Sequence, residues 1–484
     1  MPLNAQILAT LEQGGGRIHP RAGSQESVDF QAVRQLVGQA VTALTDTGIG
    51  AADKIGIHCT ESFDWLIWDL ACLTLGAVSV PIASTWRQRL DWFDCRAYVL
   101  GGAPLPSGVQ HLEPDAFRQQ PASTLRCHAF QPADPLTMKF TSGTTSKPKS
   151  YLASHGHVEH MVRGIQTLFR LNAGDRLLVS MPMNVFLQRI LAYTAILACA
   201  DLAFCAPQGI LLAAKKFRPT IVMGPPHLFA SIRDLHRRQL ALGAATPFSE
   251  LWGGQARCLW TGSAPICADL LEFYEEHGLP LYEGYGTTET GMIAKNAPGA
   301  YRRGTVGKPF PGVEVTLSPQ GEVLVRAPHL PAIATSRDGW HATGDIGSLD
   351  EDGYLRLSGR LDDQIVLTNG KKLMPSPLED ALKNCQAIRH ACIYGENRPY
   401  PVAIVEVNGE AAAIRHQIEA AVEALNLDLE DNARLNGFQV LPQGEFERRQ
   451  CLSELGKLKR KQVAQSFCAE IDALYRERPT THVA

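Results

Sequence analysis

The sequence lacks the features that mark several common classes of protein. It has 12 cysteines but no CxxC pair, and no histidine cluster stands at zinc-ligand spacing. Its 46 Lys and Arg nearly balance its 49 Asp and Glu, so a general polyanion-binding role has no bulk electrostatic support. A chain of 484 residues is also too long for a disulfide-stapled miniprotein. These absences argue against a structural zinc site and a nucleic-acid partner, and they predict reduced thiols in a cytoplasmic protein.

A long apolar run is missing as well. Residues 1–16 carry neither a basic flank nor a continuous apolar stretch, which argues against a signal peptide. The most apolar stretch, residues 190–206, contains Asp201 and is shorter than the ~20 residues that a bilayer span needs. We therefore predict a buried helix followed by a strand there, and no membrane span.

The first half of the chain alternates helical and strand-like patterns. Residues 28–48 have the apolar spacing of an amphipathic helix, residues 54–60 read as a short strand, and residues 62–82 read as a helix followed by a strand. Residues 218–238 repeat the order of strand, Gly/Pro break and helix. Such alternation predicts an α/β fold with crossover connections and much parallel pairing.

The pattern changes after about residue 300. Short strand-like pieces bounded by glycine and proline predict a small β-rich subdomain over about residues 300–358. We place a boundary between Gly359 and Asp363, in a polar stretch between two apolar strands. The predicted organisation is a large lobe of mixed and parallel sheets with flanking helices over residues 1–359, and a smaller α+β lobe over residues 360–484.

The segment TSGTTSKPKS, residues 141–150, is the most informative in the chain. Its hydroxyls, glycine and lysines offer backbone N–H groups, short donors and positive charge to an anion. The Walker spacing G-x-x-x-x-G-K-[ST] is absent from this segment. Alone, the segment is compatible with a phosphate loop or with a Ser/Thr-rich surface turn.

Three further motifs follow the loop in a fixed order. They are EGYGTTETG at residues 283–291, HATGDIGSLDEDGYLRLSGRLDD at residues 341–363, and LSELGKLKRK at residues 452–461. Together with the loop they resemble the adenylate-forming superfamily, which includes acyl- and aryl-CoA synthetases, adenylation domains of nonribosomal peptide synthetases, and firefly luciferase. The resemblance extends from about residue 73 to Lys461. It implies a two-lobe fold whose smaller lobe is mobile.

The resemblance also implies a reaction and a set of nucleotide-binding residues. A carboxylate would attack the α-phosphate of MgATP to give an acyl-adenylate and pyrophosphate, and a thiol would then displace AMP. The residues implied to bind ATP are Thr141, Ser142, Gly143, Thr144, Thr145, Lys149, Gly262, Ser263, Ala264, Glu283, Gly284, Tyr285, Gly286, Thr287, Asp345 and Arg360. Tyr285 is expected to stack on adenine, and Asp345 with Arg360 to hold the ribose. Glycine is usual in the family where this chain has Ser146 and Ser150, and a positive φ at either position costs a non-glycine residue about 1–2 kcal/mol.

The resemblance implies three catalytic residues, a metal site and a hinge. Thr288 is expected at the α-phosphate, Glu289 and Thr144 at Mg²⁺, and Lys457 between the acid and the α-phosphate. The hinge is implied at Asp362, where the smaller lobe rotates between half-reactions. Gly370 is expected to line the pantetheine tunnel, although NGKK also reads as a plain hairpin turn. Lys459, Arg460 and Lys461 are interpreted as a solvated basic face.

The acyl pocket is the least defined site. Phe186 is the candidate for the aromatic gate of the family, and Gly224 in MGPPHLF for a pocket wall that Trp260 shortens. Both aromatic side chains are equally compatible with the core. Amino-acid-activating relatives carry an Asp directly after the aromatic residue, whereas this chain has Leu187 and Gln188. An α-amino acid substrate is therefore disfavoured.

The predicted function is that of an ATP-dependent, AMP-forming acid–thiol ligase that acts on an acyl or aryl acid. Its expected requirements are ATP, Mg²⁺ and a thiol acceptor, either CoA or the phosphopantetheine of a separate acyl carrier protein. Three alternatives stay open. They are an adenylation enzyme that loads only a carrier protein, a nucleotide-binding homologue with little turnover, and an oxidative luciferase-like activity that rests on fold analogy.

Overall fold

The structure is a computed structural model that describes most of the chain. The described residues are 1–24, 26–101, 109–140, 148–243, 246–262, 266–330, 338–409, 411–427, 429–430, 433–452 and 458–476, with the backbone alone for 411–413.

Helices and strands alternate along the first 300 residues, as predicted. The helices are α1 Leu3–Gln13, α2 Phe30–Asp46, α3 Ser62–Leu75, α4 His155–Phe169, α5 Phe186–Leu197, α6 Ile210–Phe217, α7 Pro226–Ala241, α8 Phe248–Leu251, α9 Ala268–Glu276, α10 Pro375–Leu382, α11 Ala411–Leu427, α12 Glu445–Arg448, α13 Arg460–Ser466 and α14 Cys468–Arg476. The strands are β1 Arg17–His19, β2 Val28–Asp29, β3 Lys54–His58, β4 Val78–Pro81, β5 Ala97–Leu100, β6 Gln110–Leu112, β7 Pro135–Phe140, β8 Ser150–Ser154, β9 Arg176–Val179, β10 Asp201–Phe204, β11 Ile221–Gly224, β12 Cys258–Gly262, β13 Leu281–Thr287, β14 Gly291–Lys295, β15 Lys308–Pro309, β16 Glu314–Leu317, β17 Glu322–Arg326, β18 His341–Leu349, β19 Leu355–Arg360, β20 Ile365–Val366, β21 Lys372–Leu373, β22 Ile388–Tyr394, β23 Val402–Val407 and β24 Phe438–Leu441.

Two large sheets, both mostly parallel, form the first part of the molecule. In the described residues, one sheet has the order β15-β14-β13-β12-β11-β9-β10-β1-β2 and the other has β6-β5-β3-β4-β7-β8. Neighbours from β13 to β1 pair in parallel, and antiparallel strands occur at the edges. Helices lie between most consecutive parallel strands, for example α3 between β3 and β4 and α9 between β12 and β13, as is usual for parallel pairing. The predicted α/β class is confirmed.

The main apolar core includes residues of both sheets and of helices α2 to α5. Every residue of α3 from Trp65 to Thr74 is buried, because apolar side chains occur on every side of this helix. Buried polar groups cross-link this core: Arg189 of α5 donates to Thr137 at 2.5 Å and lies 3.7 Å from the Asp69 carboxylate. The same carboxylate accepts a hydrogen bond from Tyr193. This network fixes α5, and with it the position of Phe186 at its first turn.

An antiparallel sheet, β16-β17-β18-β19, precedes the last part of the chain. The predicted boundary falls at the end of β19 and on the short 3₁₀ helix Leu361–Asp363. Beyond it lie the β20-β21 hairpin, the sheet β22-β23-β24 and helices α10 to α14. Separate apolar clusters form on these elements, which is the pattern expected of a lobe with its own core. The division into two lobes at this boundary stays a prediction.

The structure bears on two predictions made from the sequence, that of reduced cysteines and that of no membrane span. All twelve cysteines are free thiols, and the most exposed are Cys127 and Cys468. In the part of the chain that the structure describes, no helix is both long enough and apolar enough to cross a bilayer.

Candidate active site

The site is built around the turn that joins β13 to β14. Thr287 and Thr290 brace this turn reciprocally, since each backbone N–H donates to the hydroxyl of the other residue, at 3.3 and 3.2 Å. Gly286 lies against the opposite strand, so that an added Cβ would approach the carbonyl oxygen of Gly291 to 2.0 Å. No other residue fits at this position. The glycine and threonines of the motif therefore set the backbone path that presents Thr288 and Glu289.

Glu289 is held as a carboxylate. Burial opposes its ionisation, but hydrogen bonds from Tyr151 and Thr287 and the nearby His341 bring the pKa of Glu289 below its usual value. The same hydrogen bond raises the pKa of Tyr151. An ionised carboxylate is the ligand type that Mg²⁺ prefers, and this ion commonly takes one or two carboxylates together with phosphate oxygens and waters. In the described residues, no group of three acidic, histidine or cysteine side chains is placed to hold a metal alone.

Asp345 forms the second part of the site. It lies on β18 directly opposite Arg360 of β19, and its Oδ1 accepts from Arg360 Nη1 at 3.0 Å. Its Oδ2 accepts from the hydroxyl of Tyr285 at 2.5 Å. Each carboxylate oxygen has a further lone pair, so this buried acid keeps acceptor capacity for the hydroxyls of a sugar.

A buried acceptor without a partner lies two residues before Tyr285 on β13. The Oε2 atom of Glu283 is buried and receives no hydrogen bond in the structure. Burial raises the pKa of Glu283 to about 7, even though the nearby Lys295 opposes this. Gly262, the last residue of β12, pairs with Gly284 in the middle of β13, and a Cβ on Gly262 would come within 2.6 Å of Gly284 O. An unpaired acceptor beside this narrow, side-chain-free edge fits the amino group of a purine.

Matches to known protein families cover most of the chain. Residues 9–90 and 96–330 match the family model described as AMP-binding enzyme. Residues 362–479 match the one described as AMP-binding enzyme C-terminal domain. The chain belongs to the AMP-binding enzyme family. The superfamily resemblance stated from the four motifs is confirmed.

Relatives of this AMP-binding enzyme are similar over two thirds to nine tenths of its length. The long-chain-fatty-acid–CoA ligase FadD15 of Mycobacterium bovis is 28% identical over 549 residues, covering 92% of this chain and 91% of that protein. The anthranilate–CoA ligase of Pseudomonas aeruginosa is 28% identical over 382 residues, covering 68% and 71%. The structure of the anthranilate CoA ligase AuaEII with anthranoyl-AMP has a TM-score of 0.80 at 19% identity, covering 97% and 98% of the two chains. That last likeness concerns the fold alone, and it confirms the predicted two-lobe class.

Several predicted residues of the AMP-binding enzyme lie outside the described part of the chain. They are Thr141, Ser142, Gly143, Thr144, Thr145, Ser146, Ser263, Ala264 and Lys457. Lys149 is exposed, directly before β8. Ser150 pairs with Phe140 in β8 and is not among the residues with positive φ. Serine at position 150 therefore carries no left-handed strain.

The two candidate pocket residues and Trp260 differ in their surroundings. Phe186 is half-buried, and its ring stacks against His157 at a centroid distance of 6.0 Å. Gly224 ends β11, where an added Cβ would approach Leu228 Cδ2 to 2.6 Å. Trp260 is buried, stacks on Phe169 at 5.4 Å and has Lys295 Nζ 4.2 Å from its ring centre. These contacts agree with the alternative in which Trp260 is a core residue rather than part of the acyl pocket.

Gly370 and Asp362 lie in the smaller predicted lobe. Gly370 has φ +81° in the β20-β21 hairpin, and an added Cβ there would meet open space. The left-handed backbone at Gly370 favours glycine there, whereas no neighbouring atom lies close enough to exclude a side chain. Asp362 is exposed on the 3₁₀ helix that follows β19.

Sequence reasoning missed Lys139. Its Nζ is buried 3.3 Å from His157 Nε2, 3.4 Å from Glu289 O and 5.2 Å from the Phe186 ring centre. Burial lowers the pKa of Lys139 to about 7. The available signal was a lysine within the apolar stretch LTMKF, two residues before the loop. Its placement joins the Glu289 turn to the candidate gate.

Asp345→Asn is expected to raise the KM for ATP about 10- to 100-fold, since hydrogen bonds to a charged group contribute roughly 1.5–3 kcal/mol. The substitution preserves the shape of the side chain but weakens the acceptor that would hold the ribose hydroxyls. Steady-state kinetics with ATP and 2′-deoxy-ATP check this, because the variant should discriminate less between them. Asp352→Asn, at an exposed acid that pairs with Arg302, is the matched control. An unchanged preference for ATP would remove Asp345 from the ribose site.

Proposed function

We propose that this chain is an ATP-dependent, AMP-forming acid–thiol ligase with CoA as its principal acceptor. The main support is the meeting, at one end of β13, of an ionised Glu289 with the Tyr285–Asp345–Arg360 contacts, in a chain whose relatives are CoA ligases. The Glu289 carboxylate can bind a hard metal ion, and the Asp345 carboxylate can accept hydrogen bonds from a sugar. Together the two suit a nucleotide bound with Mg²⁺. The relatives' names favour CoA over a carrier protein, which stays a second possible acceptor.

In the first half-reaction, a carboxylate oxygen of the acid attacks the α-phosphorus of ATP. The bond between the α-phosphorus and the bridging oxygen breaks, and acyl-AMP and pyrophosphate form. Negative charge develops on phosphate oxygens, so catalysis depends on cations and fixed donors aimed at them. Thr288, Lys149 and Lys457 are proposed for that task, with the backbone of residues 141–145 and the hydroxyls of Thr141, Ser142, Thr144 and Thr145 around the β- and γ-phosphates.

The residues present fit the nucleotide and its metal. Glu289 would hold Mg²⁺, with Thr144 as the second predicted ligand, and the bound ion would neutralise phosphate charge. Tyr285 would stack on adenine, Glu283 would accept from its amino group, and Asp345 with Arg360 would orient the ribose. These roles hold the α-phosphate at a fixed position relative to the acid, which is the main contribution that positioning makes to such reactions.

In the second half-reaction, the thiol sulfur attacks the acyl carbon, AMP leaves with the electron pair of the broken C–O bond, and the thiol proton passes to solvent. A rotation near Asp362 is proposed to exchange Lys457 for the segment around Gly370 between the two steps. The acid is proposed to be acyl or aryl, entering past Phe186, because Leu187 and Gln188 offer no carboxylate to an α-ammonium group. A cytoplasmic location stays a prediction.

Acid-dependent ATP–pyrophosphate exchange tests the proposal. The full-length protein is assayed with a panel of aliphatic and aryl acids, with and without MgCl₂, and thioester formation is followed with CoA and with a phosphopantetheinylated carrier protein. Exchange that needs both an acid and Mg²⁺, followed by acyl-CoA formation, is expected. Calorimetric binding of ATP without exchange for any acid would instead identify a nucleotide-binding homologue and overturn the proposal.

Asp362→Pro is expected to slow one half-reaction at least about 10-fold and to leave the other near its wild-type rate. Proline fixes φ near −65° and restricts the residue before it, so the variant should stay in one posture. Exchange reports the first step, and conversion of a supplied acyl-adenylate to acyl-CoA reports the second. Asp362→Ala, which leaves φ free, is the control. If the proline variant keeps both rates, the hinge lies elsewhere.

A further inference from the structure

Arg460 departs from the solvated basic face that its sequence context predicts. Its guanidinium forms a two-bond pair with Glu379 of α10, from Nη1 to Oε1 at 2.7 Å and from Nη2 to Oε2 at 2.8 Å. Its side chain is 22% exposed and that of Glu379 only 9%. The neighbouring Lys461 is exposed, as expected. The basic run therefore contains one residue that is part of the structure of the smaller lobe.

The Glu379 carboxylate has no freedom to turn away from Arg460. Its Oε1 also accepts the backbone N–H of Ile393 at 2.7 Å, in strand β22. Arg460 Nη1 in turn donates to the carbonyl oxygen of Ile393 at 3.1 Å. Helix α10, strand β22 and the first residue of α13 are thus joined through one buried ion pair. A planar guanidinium matches a carboxylate in two bonds, which lysine cannot reproduce.

The same guanidinium reaches the predicted hinge. Arg460 Nε lies 3.6 Å from Oδ1 of Asp363, which directly follows Asp362 on the 3₁₀ helix. Arg460 is therefore in contact with the segment that the smaller lobe would rotate about, with helix α10 and with strand β22.

The backbone around Arg460 is fixed as well. The hydroxyl of Tyr394 donates to Arg460 O at 3.2 Å. Lys459 N–H donates to Cys451 O at 2.8 Å, and Leu452 and Leu458 form an antiparallel bridge. The residues on either side of positions 453–457 are thus paired with each other, and Arg460 attaches that pair to Glu379. Lys457 stands three residues before Arg460 in the sequence.

We propose that Arg460 is a positioning residue for the adenylation step: its pair with Glu379 and its contact with Asp363 fasten the start of α13 and the paired residues 451–452 and 458–459, which flank the catalytic lysine in the sequence, to α10 and to the hinge side of the smaller lobe. The inference rests on the proposed function, because it assigns Lys457 to the first half-reaction. Loss of the pair removes the link between these flanking residues and α10, and we expect it to slow the step assigned to Lys457. Thioester formation, which does not use Lys457, depends on the pair much less.

The test compares Arg460→Met with Lys461→Met, a matched loss of one positive charge at the next, exposed position. Exchange with the best acid and conversion of its supplied acyl-adenylate to acyl-CoA are measured for each variant. We expect Arg460→Met to lower the ratio of the first rate to the second at least 10-fold. Arg460→Lys should restore it only partly, and Lys461→Met should leave it unchanged. If Arg460→Met slows both steps by the same factor, or slows neither, the ratio is unchanged and the inference is overturned.

Glu379→Gln keeps the inference falsifiable if Arg460→Met fails to fold. This variant keeps the acceptor for Ile393 N–H but removes the charge that binds Arg460, and it should lower the same ratio. The double variant should be no worse than Arg460→Met alone, because that substitution already removes the pair with Glu379. Independent, additive losses would overturn the inference. Wild-type protein without exchange for any acid would instead be a failure of the proposed function.

Discussion

Lys457→Ala is expected to slow acid adenylation about 100- to 1000-fold and to leave thioester formation from a supplied acyl-adenylate largely intact. Removing one group that stabilises transition-state charge typically costs about 10²–10³ in rate. An ammonium on a flexible stem can neutralise the repulsion between a carboxylate and the α-phosphate as the two anions approach. The second step replaces that encounter with attack by a thiol on a neutral acyl carbon, so the same charge is no longer needed.

The measurement separates the two half-reactions in one preparation. Pyrophosphate exchange reports adenylation, and acyl-CoA appearance from synthetic acyl-adenylate reports thioester formation. Lys461→Ala, at an exposed lysine of the same basic run, controls for a general loss of positive charge. Comparable losses in both steps would contradict a lobe rotation that moves Lys457 away after the first step.

Glu289→Gln is expected to reduce adenylation about 100-fold at fixed MgCl₂ and to raise the Mg²⁺ concentration needed for half-maximal rate. The amide keeps the size of the side chain but loses the charge that makes it a ligand for a hard cation. In the structure that charge is stabilised by Tyr151, Thr287 and His341. Replacing the carboxylate therefore removes the proposed metal ligand and the charge that these three residues stabilise.

A titration of exchange rate against MgCl₂ distinguishes metal binding from a packing role. Tyr151→Phe removes one donor to Glu289 and retains the carboxylate, so it should shift the Mg²⁺ requirement in the same direction by only a few-fold. Wild-type Mg²⁺ dependence in Glu289→Gln, with a lowered rate, would show that Glu289 does not bind the metal.

The sequence was sufficient for those features that depend on neighbouring residues. The apolar pattern of residues 62–82 predicted a helix followed by a strand, and α3 and β4 lie there. A helix with apolar residues on every side is expected to be buried. The break after Gly224 was equally clear, since two consecutive prolines follow β11 and the second of them begins α7. The glycines and threonines of EGYGTTETG were visible as a motif. Their reason, the contact of Gly286 with Gly291, appeared only in the structure.

Interactions between distant residues were beyond the sequence unless the family supplied them. Tyr285 and Asp345 are sixty residues apart, and their hydrogen bond depends on how β13 packs beside β18. Lys139 sits in an apolar strand, and nothing local indicates that its ammonium reaches Glu289 O. Arg460 was misread because a run of basic residues normally faces solvent, whereas here Glu379, at a separation of eighty-one residues, holds the middle one inside.

The two most exposed thiols, Cys127 and Cys468, fall on opposite sides of the predicted boundary. Maleimide dyes that label exposed sulfur first would therefore put one fluorophore on each lobe of the unmodified protein. Energy transfer between the dyes would then report domain motion during turnover, with no engineered cysteine in the chain.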